Sequence, residues 1–205
     1  MQTLVAIGGG SFQKNETRAI DEYIIKRTGK EHPKVIFIPA ASKDDQGYAK
    51  RFKQYYRSLG CEVEAIRLWH TKLFYKEIAN TLLEADVIYF GGGETPLLMQ
   101  ALDNFSLFDT LKEAYEKGIV IAGLSAGANI LFTYGYSEID DHYEMVKGVE
   151  LVKGIFCPHA QKQERQGFLE ACKSYEGLEA YPCADEKALC LEDEKVFFLQ
   201  NNKEI

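Results

Sequence analysis

Four short runs, Leu4–Ile7, Val35–Pro39, Val87–Phe90 and Ile119–Leu124, are continuously apolar, rich in β-branched residues and closed by small residues or proline. Parallel strands covered by helices on both faces have this character, because neither side of the pleat meets water. Cys61–Leu68 alternates apolar and charged residues and so reads as a more exposed, edge-like strand. Helical spacing of apolar positions falls between these runs, over Glu16–Arg27, Tyr48–Leu59, Lys76–Leu83, Pro96–Leu102 and Leu107–Lys117, with Gly60 and Gly118 where C-caps belong. This alternation predicts an α/β fold, a doubly wound, mostly parallel sheet sandwiched by helices, with ligands bound beyond the strand carboxyl ends.

The pattern changes after residue 125. Tyr134–Tyr143, rich in glycine, tyrosine and acids, reads as an irregular excursion. Short apolar runs at Val149–Val152 and Phe156–His159 follow, then a helix from about Gln163 to Tyr175. The tail predicts a small β hairpin, Ala188–Leu191 and Val196–Leu199, around the polar turn Glu192-Asp193-Glu194-Lys195. No repeat or low-complexity tract interrupts the chain, and residues 1–205 read as one domain, long enough to bury roughly 70% of the unfolded surface.

Composition narrows the chemistry. A net charge of −7 with no Lys/Arg cluster argues against nucleic acid as a partner. No apolar stretch is long enough for a membrane span, and the opening Met1–Gly10 segment reads as a first strand, not a signal peptide. The five cysteines are odd in number and lack C-x-x-C spacing, and the four histidines are dispersed. These features disfavour a disulfide framework or a metal site and suggest a reducing cytoplasm. No cofactor is expected either. Gly8-Gly9-Gly10 and Gly91-Gly92-Gly93 lack the Lys-Ser/Thr of a phosphate-binding loop, and the first lacks the later glycine of a dinucleotide fingerprint.

The glycine-rich turns instead gather at the predicted carboxyl rim, where the most specific motif also lies. Val120 to Leu124 runs into Gly123-Leu124-Ser125-Ala126-Gly127, a G-x-S-x-G serine at a strand-to-helix turn. Such a turn exposes the hydroxyl and sets it at a helix N-terminus, making Ser125 a candidate nucleophile. A serine hydroxyl needs an imidazole to take its proton and a carboxylate to orient that imidazole. His159, closing Gly154-Ile155-Phe156-Cys157-Pro158-His159, is the leading base; His142 competes from an acidic, irregular setting.

Phe90-Gly91-Gly92-Gly93-Glu94-Thr95, Gly123-Leu124-Ser125-Ala126-Gly127-Ala128, Gly148 to His159 and, weakly, Asp185-Glu186-Lys187-Ala188-Leu189 together resemble the peptidase E (aspartyl dipeptidase) and cyanophycinase family of serine peptidases. The resemblance implies an α/β sandwich related to class I glutamine amidotransferases, with Ser125 as nucleophile and His159 as base. It also implies an oxyanion hole from the N–H groups of Gly93 and Ala126. Relatives use either an acid between Ser and His, which here would be Asp140, or a Glu downstream, which would be Glu186; Glu186 is favoured because a residue leading into a strand is held more rigidly. Arg165 lies where relatives often carry an arginine, suited to holding a substrate carboxylate. The run Ala160-Gln161-Lys162-Gln163-Glu164 departs from the family pattern of Phe followed by basic residues, which weakens the implied preference for aspartyl substrates.

The expected function is therefore a serine peptidase acting on short peptides, dipeptides or isoaspartyl-like substrates, through an acyl-enzyme. The competing readings are an esterase or amidase with the same residues, and a small-molecule sensor that has lost turnover. A homodimer through an exposed sheet edge is compatible with the pattern, although no motif requires it.

Overall fold

A computed structural model of the chain describes residues 1–200 and 203–205. The first half runs β1 Thr3–Ile7, α1 Arg18–Arg27, β2 Lys34–Ile38, α2 Gln46–Ser58, β3 Glu62–Ala65, α3 Tyr75–Leu83, β4 Val87–Phe90, α4 Thr95–Asn104, α5 Phe108–Glu116 and β5 Val120–Leu124. The second half runs α6 Ala126–Asn129, β6 Phe132–Ile139, β7 His142–Lys147, β8 Val152–Cys157, α7 Phe168–Cys172, β9 Ala180–Pro182, β10 Ala188–Glu192, β11 Lys195–Gln200 and β12 Lys203–Glu204.

The main sheet has the order β12-β11-β10-β1-β5-β4-β2-β3. Its five strands β1, β5, β4, β2 and β3 are parallel, while β10, β11 and β12 extend it antiparallel. Alternate residues of each apolar run enter different cores. Leu4, Ile36, Ile88 and Ile121 pack on one face with Leu82, Leu98 and Leu111 of α3, α4 and α5. Val5, Val35, Val87 and Val120 pack on the other with Ile24 of α1 and Phe52 of α2. Burial on both faces is why these strands read as unbroken apolar runs. The edge-like segment is β3, at the sheet border. Helix α2 begins earlier than its apolar spacing suggests, because the Asp45 carboxylate accepts the Tyr48 N–H and caps it.

Three stretches differ from expectation. The helix after Ser125 is a single turn, since Ile130, Leu131 and Phe132 are wholly buried and lead directly into a strand. Tyr134–Tyr143 is part of a hairpin, β6–β7, in a second sheet of order β7-β6-β8-β9. Asp140 and Asp141, with φ of 47° and 63°, form its two-residue turn, the role usually taken by Asn-Gly. The helix expected over Gln163–Tyr175 is broken into a 3-10 turn at Gln163–Arg165 and α7. The C-terminal hairpin forms as expected around Asp193, in register Glu192 to Lys195. Among the described residues no helix is long and apolar enough to cross a membrane.

One charge is wholly buried between α1 and α2. Asp21 accepts hydrogen bonds from the hydroxyls of Thr17, Tyr55 and Tyr56. Burial raises its pKa from 3.8 to about 6, with the three hydroxyl donors opposing the shift. A carboxyl whose pKa is raised on folding favours the native state below its unfolded value, and that contribution is lost as pH rises through the folded value. Wild type should therefore lose on the order of 2 to 3 kcal/mol relative to Asp21→Asn between pH 4 and 7, measured by urea unfolding at each pH.

Candidate active site

The carboxyl ends of β1, β4 and β5 meet at Ser125. This residue has φ 52° and ψ −109°, a backbone conformation that a non-glycine residue adopts only when its surroundings force it. Its N–H donates to the Ile7 carbonyl at 2.9 Å, while its own carbonyl accepts from Ala128 and Asn129 N–H groups. The flanking glycines permit the packing. A Cβ on Gly123 would lie 2.2 Å from the Gly127 carbonyl oxygen, and one on Gly127 would lie 2.2 Å from that of Phe90. The G-x-S-x-G spacing is thus a record of two backbone approaches too close for any side chain.

The hydroxyl of Ser125 lies 2.9 Å from Nε2 of His159, at the end of β8. On the other side of the ring, Nδ1 contacts the Asp185 carboxylate Oδ1. The carboxylate that meets the ring is thus Asp185, and not Glu186 or Asp140. Glu186, one residue on, has φ 61°, gives its N–H to the Gly9 carbonyl and holds its side chain exposed. Asp140 sits exposed at the β6–β7 turn, with His142 beside it contacting its carbonyl at 3.1 Å. Neither Asp140 nor Glu186 has a hydrogen bond to the imidazole. Asp185 lay within the stretch carrying the family resemblance, and the argument for an acid leading into β10 applies to it equally.

Gly8 and Gly9 hold the pair from beneath. The Gly8 carbonyl accepts the His159 N–H and the Gly9 carbonyl accepts the Glu186 N–H, both at 3.0 Å. A Cβ on Gly9 would fall 1.9 Å from Asp185 Oδ1 and 2.5 Å from His159 Nδ1. Burial lowers the His159 pKa from its ordinary 6.5, against the raising effect of Asp185's charge and hydrogen bond, so the ring is neutral at pH 7. Cys157 and Cys183 lie two residues before His159 and Asp185, but burial pushes both thiols up to about 12 and neither supplies a thiolate.

Gly93 and Ala126 border the same cavity, of about 250 Å³. Gly93 has φ 144°, and a Cβ there would strike the Ala41 carbonyl oxygen at 2.2 Å. Among the described residues its N–H has no protein acceptor, and the Ala126 N–H is the first unpaired donor of α6. The preceding Gly92 N–H is held by the hydroxyl of Tyr48, 3.2 Å away, whose ring packs against Phe12 and Phe37. Deep in the cavity Thr95, Asn129 and Ser137 share a buried hydrogen-bond network. Arg165 also lines it: its Nη1 donates to the Tyr136 carbonyl at 2.6 Å and its guanidinium lies 4.3 Å from the Tyr143 ring centre. The supporting roles of Tyr48, Asn129 and Ser137 had no distinguishing signal in the sequence, whereas Gly9 and Thr95 lie in the glycine-rich turns expected at the carboxyl rim.

Residues 4–199 match the profile of peptidase family S51, and the chain belongs to that family of serine peptidases. It is 30% identical over 200 residues, 96% of this chain and 86% of the relative, to the uncharacterized peptidase YgaJ of Bacillus subtilis (strain 168). It is 29% identical over 125 residues, 57% of this chain and 49% of the relative, to peptidase E of Nostoc sp. (strain PCC 7120). A solved peptidase from an acI-B1 Actinobacterium shares the fold, with a TM-score of 0.70 at 21% identity over 100% of this chain and 93% of that one.

Replacing Gly9 by alanine should cost at least about a hundredfold in kcat, because the methyl group must part His159 from Asp185. Steady-state peptide hydrolysis together with a near-native circular dichroism spectrum checks this; unchanged kcat contradicts it.

Proposed function

We propose that Ser125, His159 and Asp185 form the catalytic array, and that the enzyme hydrolyses short peptides through an acyl-enzyme. The observation that carries this reading is the continuous contact from the Ser125 hydroxyl through both ring nitrogens of His159 to Asp185. His159 Nε2 takes the hydroxyl proton as Oγ attacks the peptide carbonyl, and Nδ1–H donates to Asp185, which stabilises the imidazolium. The N–H groups of Gly93 and Ala126 receive the developing oxyanion, each donor being worth on the order of 3 kcal/mol in the transition state. The imidazolium then protonates the leaving amine. A water, deprotonated by the same ring, attacks the acyl-enzyme and releases Ser125.

The size and lining of the cavity support short substrates. At about 250 Å³ it suits one or two residues, and Lys162 and Arg165 on its border supply positive charge for a carboxylate. Glu138 and Glu164 border it as well, so the electrostatics favour a substrate carrying both signs of charge, as a dipeptide does. A preference for acidic or isoaspartyl residues follows only as far as Arg165 has donors left after Tyr136 takes one.

A Ser125→Ala variant should lose on the order of a million-fold in kcat and all labelling by a fluorophosphonate, with its fold intact. Residual labelling in both Ser125→Ala and His159→Ala would overturn the mechanism. Ranking dipeptides against short acyl esters by kcat/KM tests the substrate class, and preference for the esters would favour an esterase.

The pH profile provides an independent check. His159 must be neutral to accept the proton, so kcat/KM should rise on the acid side with a midpoint below 6.5. Asp185→Asn removes the interaction that raises the imidazole pKa, so its midpoint should lie lower still while activity falls. A wild-type midpoint above 6.5 contradicts the assignment.

A further inference from the structure

We infer that Gln161 is a positioning residue of the catalytic array, acting through Asp185. The inference rests on the reading of Ser125, His159 and Asp185 given above.

Asp185 lies on a turn, and its side chain is 30% exposed, so packing alone does not fix which way its carboxylate faces. His159 occupies Oδ1. Gln161 takes the remaining polar groups: its Nε2 donates to Asp185 Oδ2, and its Oε1 accepts the Asp185 backbone N–H at 3.0 Å. One amide thus grips the main chain and the carboxylate of one residue. Its orientation is fixed by chemistry, since a flipped amide would set oxygen against carboxylate and N–H against N–H.

Backbone pairing brings the two residues face to face. Cys183 N–H donates to the Cys157 carbonyl at 2.8 Å, and Ala160 N–H donates to the Cys183 carbonyl at 3.1 Å. The segment leaving β8 with His159 therefore runs beside the segment approaching β10 with Asp185, and Gln161 and Asp185 sit where the two diverge. Without the amide, rotation about the Asp185 side chain would turn the carboxylate toward water and leave Nδ1–H of His159 poorly aligned. Gln161 is exposed, and the cavity lining includes Ser125, His159 and Lys162 but not Gln161. Its effect should fall on turnover and not on substrate affinity.

The test is a mutant cycle in the full-length enzyme, with kcat, KM and pH profiles measured on the best dipeptide. Gln161→Ala should lower kcat about tenfold with KM and thermal midpoint unchanged. In an Asp185→Ala background the same change should cost nothing further, because the partner through which it acts is gone. Gln161→Glu keeps the acceptor for the Asp185 N–H but sets a second negative charge near the imidazole. It should move the acid limb of kcat/KM to higher pH. Wild-type kcat and pH profile in both Gln161 variants, alongside a large loss in Asp185→Ala, would overturn this inference alone. A further tenfold loss in the Asp185→Ala background would also overturn it, since Gln161 would then act elsewhere. Wild-type activity in Asp185→Ala would remove the catalytic reading itself, and this one with it.

Discussion

Backbone meets backbone at the carboxyl rim of the main sheet with no space for a methyl group. Gly127 lies against the Phe90 carbonyl, Gly123 against that of Gly127, and Gly93 against that of Ala41. These contacts draw the ends of β4 and β5 and the turn after β2 close enough that Ser125 is forced into its strained conformation. The strain is held by the Ile7 carbonyl and by the α6 turn, so β1, β4 and β5 must all be in place before the hydroxyl is presented. Gly9 extends the same constraint to His159 and Asp185. The site is organised by steric exclusion first, and its electrostatics act on positions already set.

Those electrostatics are finely opposed at one ring. Burial favours neutral His159, while the Asp185 charge favours the imidazolium. Burial prevails, so the resting ring is neutral and able to accept a proton, while Asp185 offsets part of the cost of charging it. The contrast with Asp21 is instructive. There a carboxylate is buried more deeply, and three hydroxyl donors do not restore its ordinary acidity. The Asp185 carboxylate keeps contact with solvent and meets a ring and an amide in place of hydroxyls.

The parallel half of the fold was legible because strands covered on both faces leave an unambiguous apolar run. Ser125 and His159 were legible because their neighbours are dictated by close packing and by a strand end. The hairpin β6–β7 was not. Its two-residue turn is Asp140-Asp141, which lacks the glycine that usually marks left-handed conformations, and its period-two alternation is diluted by Gly135 and by surface acids. The carboxylate that meets the imidazole lies one position before the expected Glu186, since residues adjacent in a turn face different ways and no periodicity distinguishes Asp185 from Glu186. Gln161 was visible only as a departure from the family pattern, because its partner is brought beside it by pairing between distant segments.

The second sheet supplies a wall of the cavity and also the imidazole, which stands at the end of β8. Ser125 and Asp185 belong to the ends and entrances of main-sheet strands, whereas Ser137, Glu138 and Tyr143 of the opposite cavity wall come from β6 and β7. Within the sheet that hairpin pairs with β8, it is tied to α4 and α6 through Ser137, and its outer strand is an open edge. An insertion at the Asp140-Asp141 turn or a changed residue on β7 would therefore alter one wall of the cavity and leave the contacts among Ser125, His159 and Asp185 in place.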